Sequence, residues 1–329
     1  MSRFLEATYS AKSIQSAPRV DWNHEPRSFK VISVTSNKGG VGKTTLACNL
    51  AVYIRAIREN LPILILTLDD QLVLDRMFSM SGRTPARTLL EAIRSGDLSS
   101  AIELGQFGIH YVPASRDAAK LKNTISDLFH LQRVLENTGW HGLIFIDTKS
   151  DFEILTQNAI MASDLVMVAV KDYTSLLEAQ RVFDLLDSMN RPRETARIIL
   201  SLVDLRVKFK TGPADILELL VSEIRKRGYP LFESFISRSA KIEALQTNPE
   251  ARVHSIMHGA STSITHRQMA MLAEEVLGVL DLSPHGAEKT TRPTDPTLQE
   301  TAPEITAGRI RFVHHDRAKA GHGTGTNPS

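Results

Sequence analysis

A chain of 329 residues, 42% hydrophobic and 23% charged, has the composition of a folded protein large enough to bury a sizeable core. A formal net charge of +2 is too small to bind nucleic acid by overall attraction, so any such binding must come from local patches. Cys48, the single cysteine, excludes a disulfide framework and a Cys-x-x-Cys metal site, and no run of about eighteen apolar residues offers a membrane span; the expected setting is cytoplasmic.

Residues 1–28 are polar, with Pro18 and Pro26, and are expected to form an arm ahead of the domain. From 29 to 282 apolar runs alternate with helical patterns, which predicts strands at 29–35, 62–68, 108–113, 142–147, 164–170, 196–203 and 230–236. Several runs are continuously apolar, such as Ile63-Leu64-Ile65-Leu66 and Leu143-Ile144-Phe145-Ile146, as strands covered on both faces are. The expectation is therefore an α/β domain over 29–282: a mostly parallel, twisted sheet with helices on both faces. Residues 283–329, rich in Pro, Thr, Gly and His, are expected to be a disordered tail. Within it, Gly308-Arg309-Ile310-Arg311-Phe312-Val313-His314-His315 is either a short docking peptide or plain linker, and plain linker is preferred. His314, His315 and His322 fall in this tail, which is expected to be too loose to hold metal-ligand geometry.

The most informative stretch is Lys38-Gly39-Gly40-Val41-Gly42-Lys43-Thr44-Thr45, between the first strand and a helix with Leu46, Leu50, Ile54 and Ile57 on one face. A strand, a glycine-rich turn and a helix N-terminus make a phosphate cradle, because backbone N–H groups converge there and the helix dipole adds partial positive charge. Lys43 is placed to reach the β- and γ-phosphates of a nucleotide, and the Thr44 hydroxyl to ligate Mg²⁺. Cys48, in that apolar helix, is expected to be a small core residue.

The loop departs from G-x-x-x-x-G-K-[ST] by carrying Asn37 in place of the first glycine and adding Lys38. It resembles the deviant Walker A motif of ParA/MinD P-loop ATPases, and small ParA proteins without a helix-turn-helix most of all. The resemblance implies an ATP- and Mg²⁺-dependent homodimer, with Lys38 reaching the partner subunit's phosphates. Leu64-Ile65-Leu66-Thr67-Leu68-Asp69-Asp70-Gln71 resembles the family's second motif, with Asp69 as the carboxylate that orients the attacking water. Thr67 stands where an aspartate is usual and Asp70 where a proline is, which puts the hydrolysis rate in question. The alternative for Asp69 is a helix N-cap. Gly142-Leu143-Ile144-Phe145-Ile146-Asp147-Thr148 resembles the Walker B strand, Asp147 holding Mg²⁺ through water. Lys149, next but one after Asp147, either adds charge near the γ-phosphate or points to solvent.

Relatives of this kind close on ATP, bind DNA without sequence preference, and are released when a ParB-like partner stimulates slow hydrolysis. That implies DNA contacts at Arg206, Lys208, Lys210, Arg238 and Lys241, a cationic strip also readable as ordinary solvated surface because Asp215, Glu218, Glu223 and Glu233 interleave with the bases. Two other readings stay open: a MinD-like placement ATPase acting through protein partners, and a regulatory module that binds ATP but barely hydrolyses it. Membrane association is disfavoured by the lack of a Lys-rich amphipathic C-terminus, and metal delivery by the single cysteine.

Overall fold

The structure, a computed structural model, describes residues 27–70, 72–80, 85, 87–210, 213, 215–240, 242–243, 254–283, 304–306 and 308–311. Continuous apolar sequence becomes central strand: β1 (Phe29–Thr35), β2 (Ile63–Thr67), β5 (Gly142–Asp147), β6 (Leu165–Val170), β7 (Ala196–Val203) and β8 (Leu231–Ser237). With β3 (Glu103–Leu104), β4 (His110–Tyr111), β9 (Glu304–Thr306) and β10 (Arg309–Arg311) they form one ten-stranded sheet in the order β3-β4-β2-β5-β1-β6-β7-β8-β10-β9. The strands from β4 to β8 in that order run parallel, and the additions at the two edges are antiparallel.

Side chains alternate across the central strands with the two-residue period of a pleated chain. Ile32, Val34, Ile63, Ile65, Leu143 and Phe145 join a core cluster with helices α1 (Lys43–Ile57) and α10 (Ile264–Val279). Val31, Leu64, Leu66, Ile144 and Ile146 belong to the opposite face, with α3 (Leu89–Ser95), α5 (His130–Asn137) and α6 (Ile154–Ala162). Helices α7 (Tyr173–Ser188) and α8 (Ile216–Lys226) share a third cluster with β6 and β7. The short helices α2 (Val73–Phe78), α4 (Ala118–Thr124) and α9 (Ile256–Gly259) complete the described elements used below. Cys48 is buried in α1, as a core residue.

Two expectations change. The strand expected at 108–113 shrinks to His110–Tyr111, because Phe107 (φ 61°) and Gly108 (φ 66°) make a left-handed turn immediately before it. Residues 304–306 and 309–311 are not plain linker: they form a hairpin on the edge of β8, and Ile310 is fully buried. Ile310, set between Arg309 and Arg311, finds its apolar partners in the folded domain, which is why sequence periodicity missed it. The arm at 1–26, residues 284–303 and residues 312–329, with His314, His315 and His322, lie outside the described residues, and so does Lys241.

The guanidinium of Arg191, in the connection from α7 to β7, closes the end of α6 by donating to the carbonyls of Ile160 (2.8 Å), Met161 (2.9 Å) and Ser163 (2.6 Å). Burial lowers its pKa to about 10, still far above neutrality, so the donors stay charged. Arg191→Met would leave helix-end carbonyls without these donors and is expected to cost about 2–4 kcal/mol in urea unfolding. A cost within measurement error would show that water serves those carbonyls equally well.

Candidate functional site

Strand β1 is the middle of the sheet, flanked by β5 and β6, and the loop leaving its carboxyl end lies where ligands bind in open parallel sheets. Gly40 (φ 70°) and Gly42 (φ 89°) take left-handed backbone. At Gly42 a Cβ would meet the Leu202 side chain at 3.0 Å and Ser201 Oγ at 3.1 Å, so glycine is required for both conformation and space. Ser201 Oγ also donates to the Val41 carbonyl (2.8 Å), fixing the loop to β7. Gly42 is the N-cap of α1, no side chain caps that end, and no acidic residue sits in its first turn. The helix dipole there has no side-chain cap from its own end and favours an anion.

Lys43 is buried and its Nζ donates to Ser150 Oγ at 2.5 Å, just beyond β5. Burial lowers its pKa, opposed by the charges of Asp147, Asp69 and Asp151. Asp147, the last residue of β5, stands between β1 and β2, paired in register with Val34 and Thr67. Its Oδ2 accepts hydrogen bonds from Thr44 Oγ1 (2.8 Å) and Thr67 Oγ1 (3.1 Å), while its Oδ1 is buried without a hydrogen-bond partner among the described residues. Loss of water pushes its pKa up to about 7, although Thr44, Lys43 and Thr67 all favour the ionised form. Thr67 Oγ1 also accepts the Asp69 backbone N–H at 3.1 Å, so one hydroxyl links the buried carboxylate to the next acidic segment. Asp69 is not a helix N-cap, since the cap of α2 is Leu72. Its own carboxylate accepts from the Asp70 N–H at 2.8 Å.

Lys38, at the rim of the loop, pairs with Asp172 at 2.6 Å. Asp172 is the N-cap of α7, its side chain accepting from the Ser175 N–H. Asn37 donates to Glu178 on the same helix at 2.5 Å. Thr45 opens α1 beside Thr44, and its carbonyl accepts from Asn49 at 2.8 Å. The loop residues Lys38 to Thr45, Asp69 and Asp147 thus converge at one end of the sheet.

Residues 29–200, over half of the chain, match the AAA_31 family, described as an AAA domain. The chain is 26% identical over 233 residues to a ParA family protein of Mycoplasma pneumoniae, covering 65% of this chain and 85% of the relative. It is 26% identical over 248 residues to the chromosome-partitioning ATPase Soj of Thermus thermophilus, covering 75% and 94%. The chain belongs to the ParA/MinD-type P-loop ATPases. The fold agrees: the septum site-determining protein MinD of Pyrococcus horikoshii, solved with Mg-ADP, superposes with a TM-score of 0.60 at 20% identity, covering 78% of this chain and 98% of that one.

Within this family's site the residues present fit a hard cation beside a nucleotide. Asp147 Oδ1 is a buried acceptor with no donor among the described residues, and the adjoining ligand set is all oxygen. Among the described residues no group of three or more His, Cys, Asp or Glu forms a self-sufficient metal site, so the remaining ligands would be phosphate and water. Ser150 and Asp172 escaped the sequence reading because polar residues at strand ends look like ordinary loop. Only the capping pattern Asp172-Tyr173-Thr174-Ser175 carried a signal, and it pointed to a helix start.

The basic residues expected on DNA are only partly gathered. Arg206 and Arg238 share Asp204, at 2.6 Å and 3.6 Å, and Arg238 also pairs with Glu243 at 2.9 Å. Lys208 pairs with Asp215 at 2.8 Å, and Lys210 is exposed. This patch is a lattice of weak ion pairs more than a bare cationic strip.

The raised pKa of Asp147 has a signed consequence. Its folded value, about 7, exceeds the unfolded value of 3.8, so this group lowers stability as pH rises through that window, and by a constant amount above it. Without nucleotide, Asp147→Asn should match the wild type near the lower pKa and be more stable, by on the order of 4 kcal/mol, above the higher one. Urea unfolding at both ends of the window measures this, and a pH-independent difference would contradict it.

Proposed function

We propose that this chain is an ATP-driven switch of the ParA kind, which closes as a homodimer on ATP, binds DNA without sequence preference in that state, and positions a plasmid, chromosome or other cargo. The observation that carries the reading is the pair of lysines on one phosphate loop, Lys43 buried inside it and Lys38 at its rim. Lys43 holds the β- and γ-phosphates together with the backbone of Gly39, Gly40, Val41, Gly42, Thr44 and Thr45. Thr44 and Asp147 hold Mg²⁺, which when bound neutralises phosphate charge. Asp69, linked to Asp147 through Thr67, orients the attacking water. The relatives support the assignment: Soj of Thermus thermophilus and ParA of Caulobacter vibrioides are named for chromosome partitioning.

Lys38 serves a partner subunit's phosphates only after leaving Asp172. The two side chains are 37% and 36% exposed, and a pair that open is worth about 1 kcal/mol or less, so a nucleotide phosphate can outcompete the carboxylate. The same holds for Arg206, Lys208 and Arg238, whose acids must yield to DNA phosphates. With Lys210 and Lys241 they form the proposed DNA surface. A ParB-like partner stimulates slow hydrolysis and resets the switch.

Thr67 favours a second reading, an ATP-binding module with little turnover, because it puts a neutral hydroxyl where the resemblance leads one to expect an aspartate. Multiple-turnover phosphate release in the presence of DNA separates the two.

Gel shifts of non-specific duplex DNA with ATP, ADP or no nucleotide test the main reading, which expects binding with ATP alone, weakened by salt. Lys38→Gln should keep ATP affinity within about threefold yet lose the ATP-dependent dimer in gel filtration, because its proposed nucleotide contact is in trans and the Asp172 pair it also removes is an exposed one at the rim. Arg238→Glu should weaken DNA binding at least ~10-fold with unchanged ATP affinity. DNA binding that survives Arg238→Glu combined with Lys241→Glu would remove this surface from the reading.

A further inference from the structure

The edge of β8 has most of its outward backbone donors served from α10. Glu275 accepts from the N–H groups of Glu233 (2.7 Å) and Ser234 (2.9 Å), and Gln268 Oε1 accepts from that of Ser237 (3.0 Å). The Phe235 N–H instead turns to the tail hairpin and donates to the Gly308 carbonyl at 3.2 Å. Of these four donors only that of Phe235 depends on the hairpin.

What holds the hairpin is one aliphatic anchor and one bare stretch of backbone. Ile310 is fully buried in the core cluster that contains Leu200, Leu220 and Phe235. Gly308 has φ 108°, and a Cβ there would lie 2.9 Å from Gln268 Cγ, so only glycine passes under that side chain. The polar fit is poor at this contact. Ser234 Oγ, Gln268 Nε2 and Arg309 Nε are three of the ten buried side-chain atoms without a hydrogen-bond partner among the described residues. Three unserved polar groups at one contact make it weaker than a fully satisfied strand pairing.

We propose that the β8–α10 edge is a binding site for an extended peptide of Gly-x-Ile pattern, filled reversibly and in cis by residues 308–310. Docked, the tail closes this sheet edge to any other strand; released, it leaves a site that a strand of the same pattern can add to. Residues 284–303 separate the hairpin from the last described residue after α10, and twenty residues can span at most ~70 Å, a length sufficient for the hairpin to leave the edge.

The test uses full-length protein without nucleotide and a fluorescein-labelled synthetic peptide covering residues 304–311. By fluorescence anisotropy, the Ile310→Glu protein, whose own tail no longer fits, should bind the peptide. Wild type should bind it at least ~10-fold more weakly, because its tethered occupant competes at an effective concentration near millimolar. A peptide carrying Gly308→Val should bind neither protein. The proposal fails if Ile310→Glu protein does not bind, if both proteins bind equally, or if the Gly308→Val peptide binds as well as the native one. Should Ile310→Glu not fold, a full-length chain with a protease site placed within 284–303 replaces it. After cleavage the tail fragment should separate on dilution and gel filtration; a fragment that stays bound would show a permanent strand. A nucleotide-free wild-type dimer that exchanges labelled tails between copies would overturn docking in cis.

Discussion

A carboxylate deprived of water at the end of β5 is the constraint around which this site is organised. Asp147 is buried between β1 and β2, and the nearby buried cation, Lys43, does not pair with it but donates to Ser150 instead. The two opposite charges thus stand in a low-dielectric setting with neither fully compensated, and burial moves both pKa values toward neutrality. Such a site gains from a ligand carrying both signs, since an anion relieves the lysine and a cation the carboxylate. The sheet supplies the rigidity this needs, for Thr44, Thr67 and Asp147 sit on three separate elements and meet within hydrogen-bond range.

Around this core the rim is built differently. Lys38, Arg206, Lys208 and Arg238 all rest on acids of the same chain, in exposed pairs that salt and water weaken. Each pair keeps a flexible cation near one place without committing it, and a polyanion offers a stronger alternative than a single carboxylate. Binding at such a surface is an exchange of partners, so it depends on ionic strength more steeply than on shape.

Strands β1, β5 and β7 fall on the residues expected from sequence because each is mostly apolar, unbroken at Leu143–Ile146 and interrupted in the other two only by single polar residues such as Lys30 and Arg197. The phosphate loop was legible for a related reason: the conformations at Gly40 and Gly42 admit few other residues. What escaped depended on distance in the chain. Strand β3 has two residues, too few for any period, and Ile310 lies between two arginines, its apolar partners being on β8 and α8. Ser150 and Asp172 are polar residues after strands, and only the fold shows that their side chains end on Lys43 and Lys38.

The position of β1 has a consequence for how the chain is made. Phe29 pairs with Gly142, and on its other side Ile32 pairs with Leu165, so the first strand of the domain is laid between two strands synthesised much later. At roughly 5–20 residues per second, the ribosome leaves β1 and the apolar run Ile63–Leu66 without their neighbours for several seconds at least. Until β5 and β6 emerge there is no buried aspartate, no ordered cradle and nothing for a nucleotide to stabilise. The nascent chain is therefore most exposed to aggregation and to chaperones over its first half, and fragments ending before β6 should be insoluble rather than partly active.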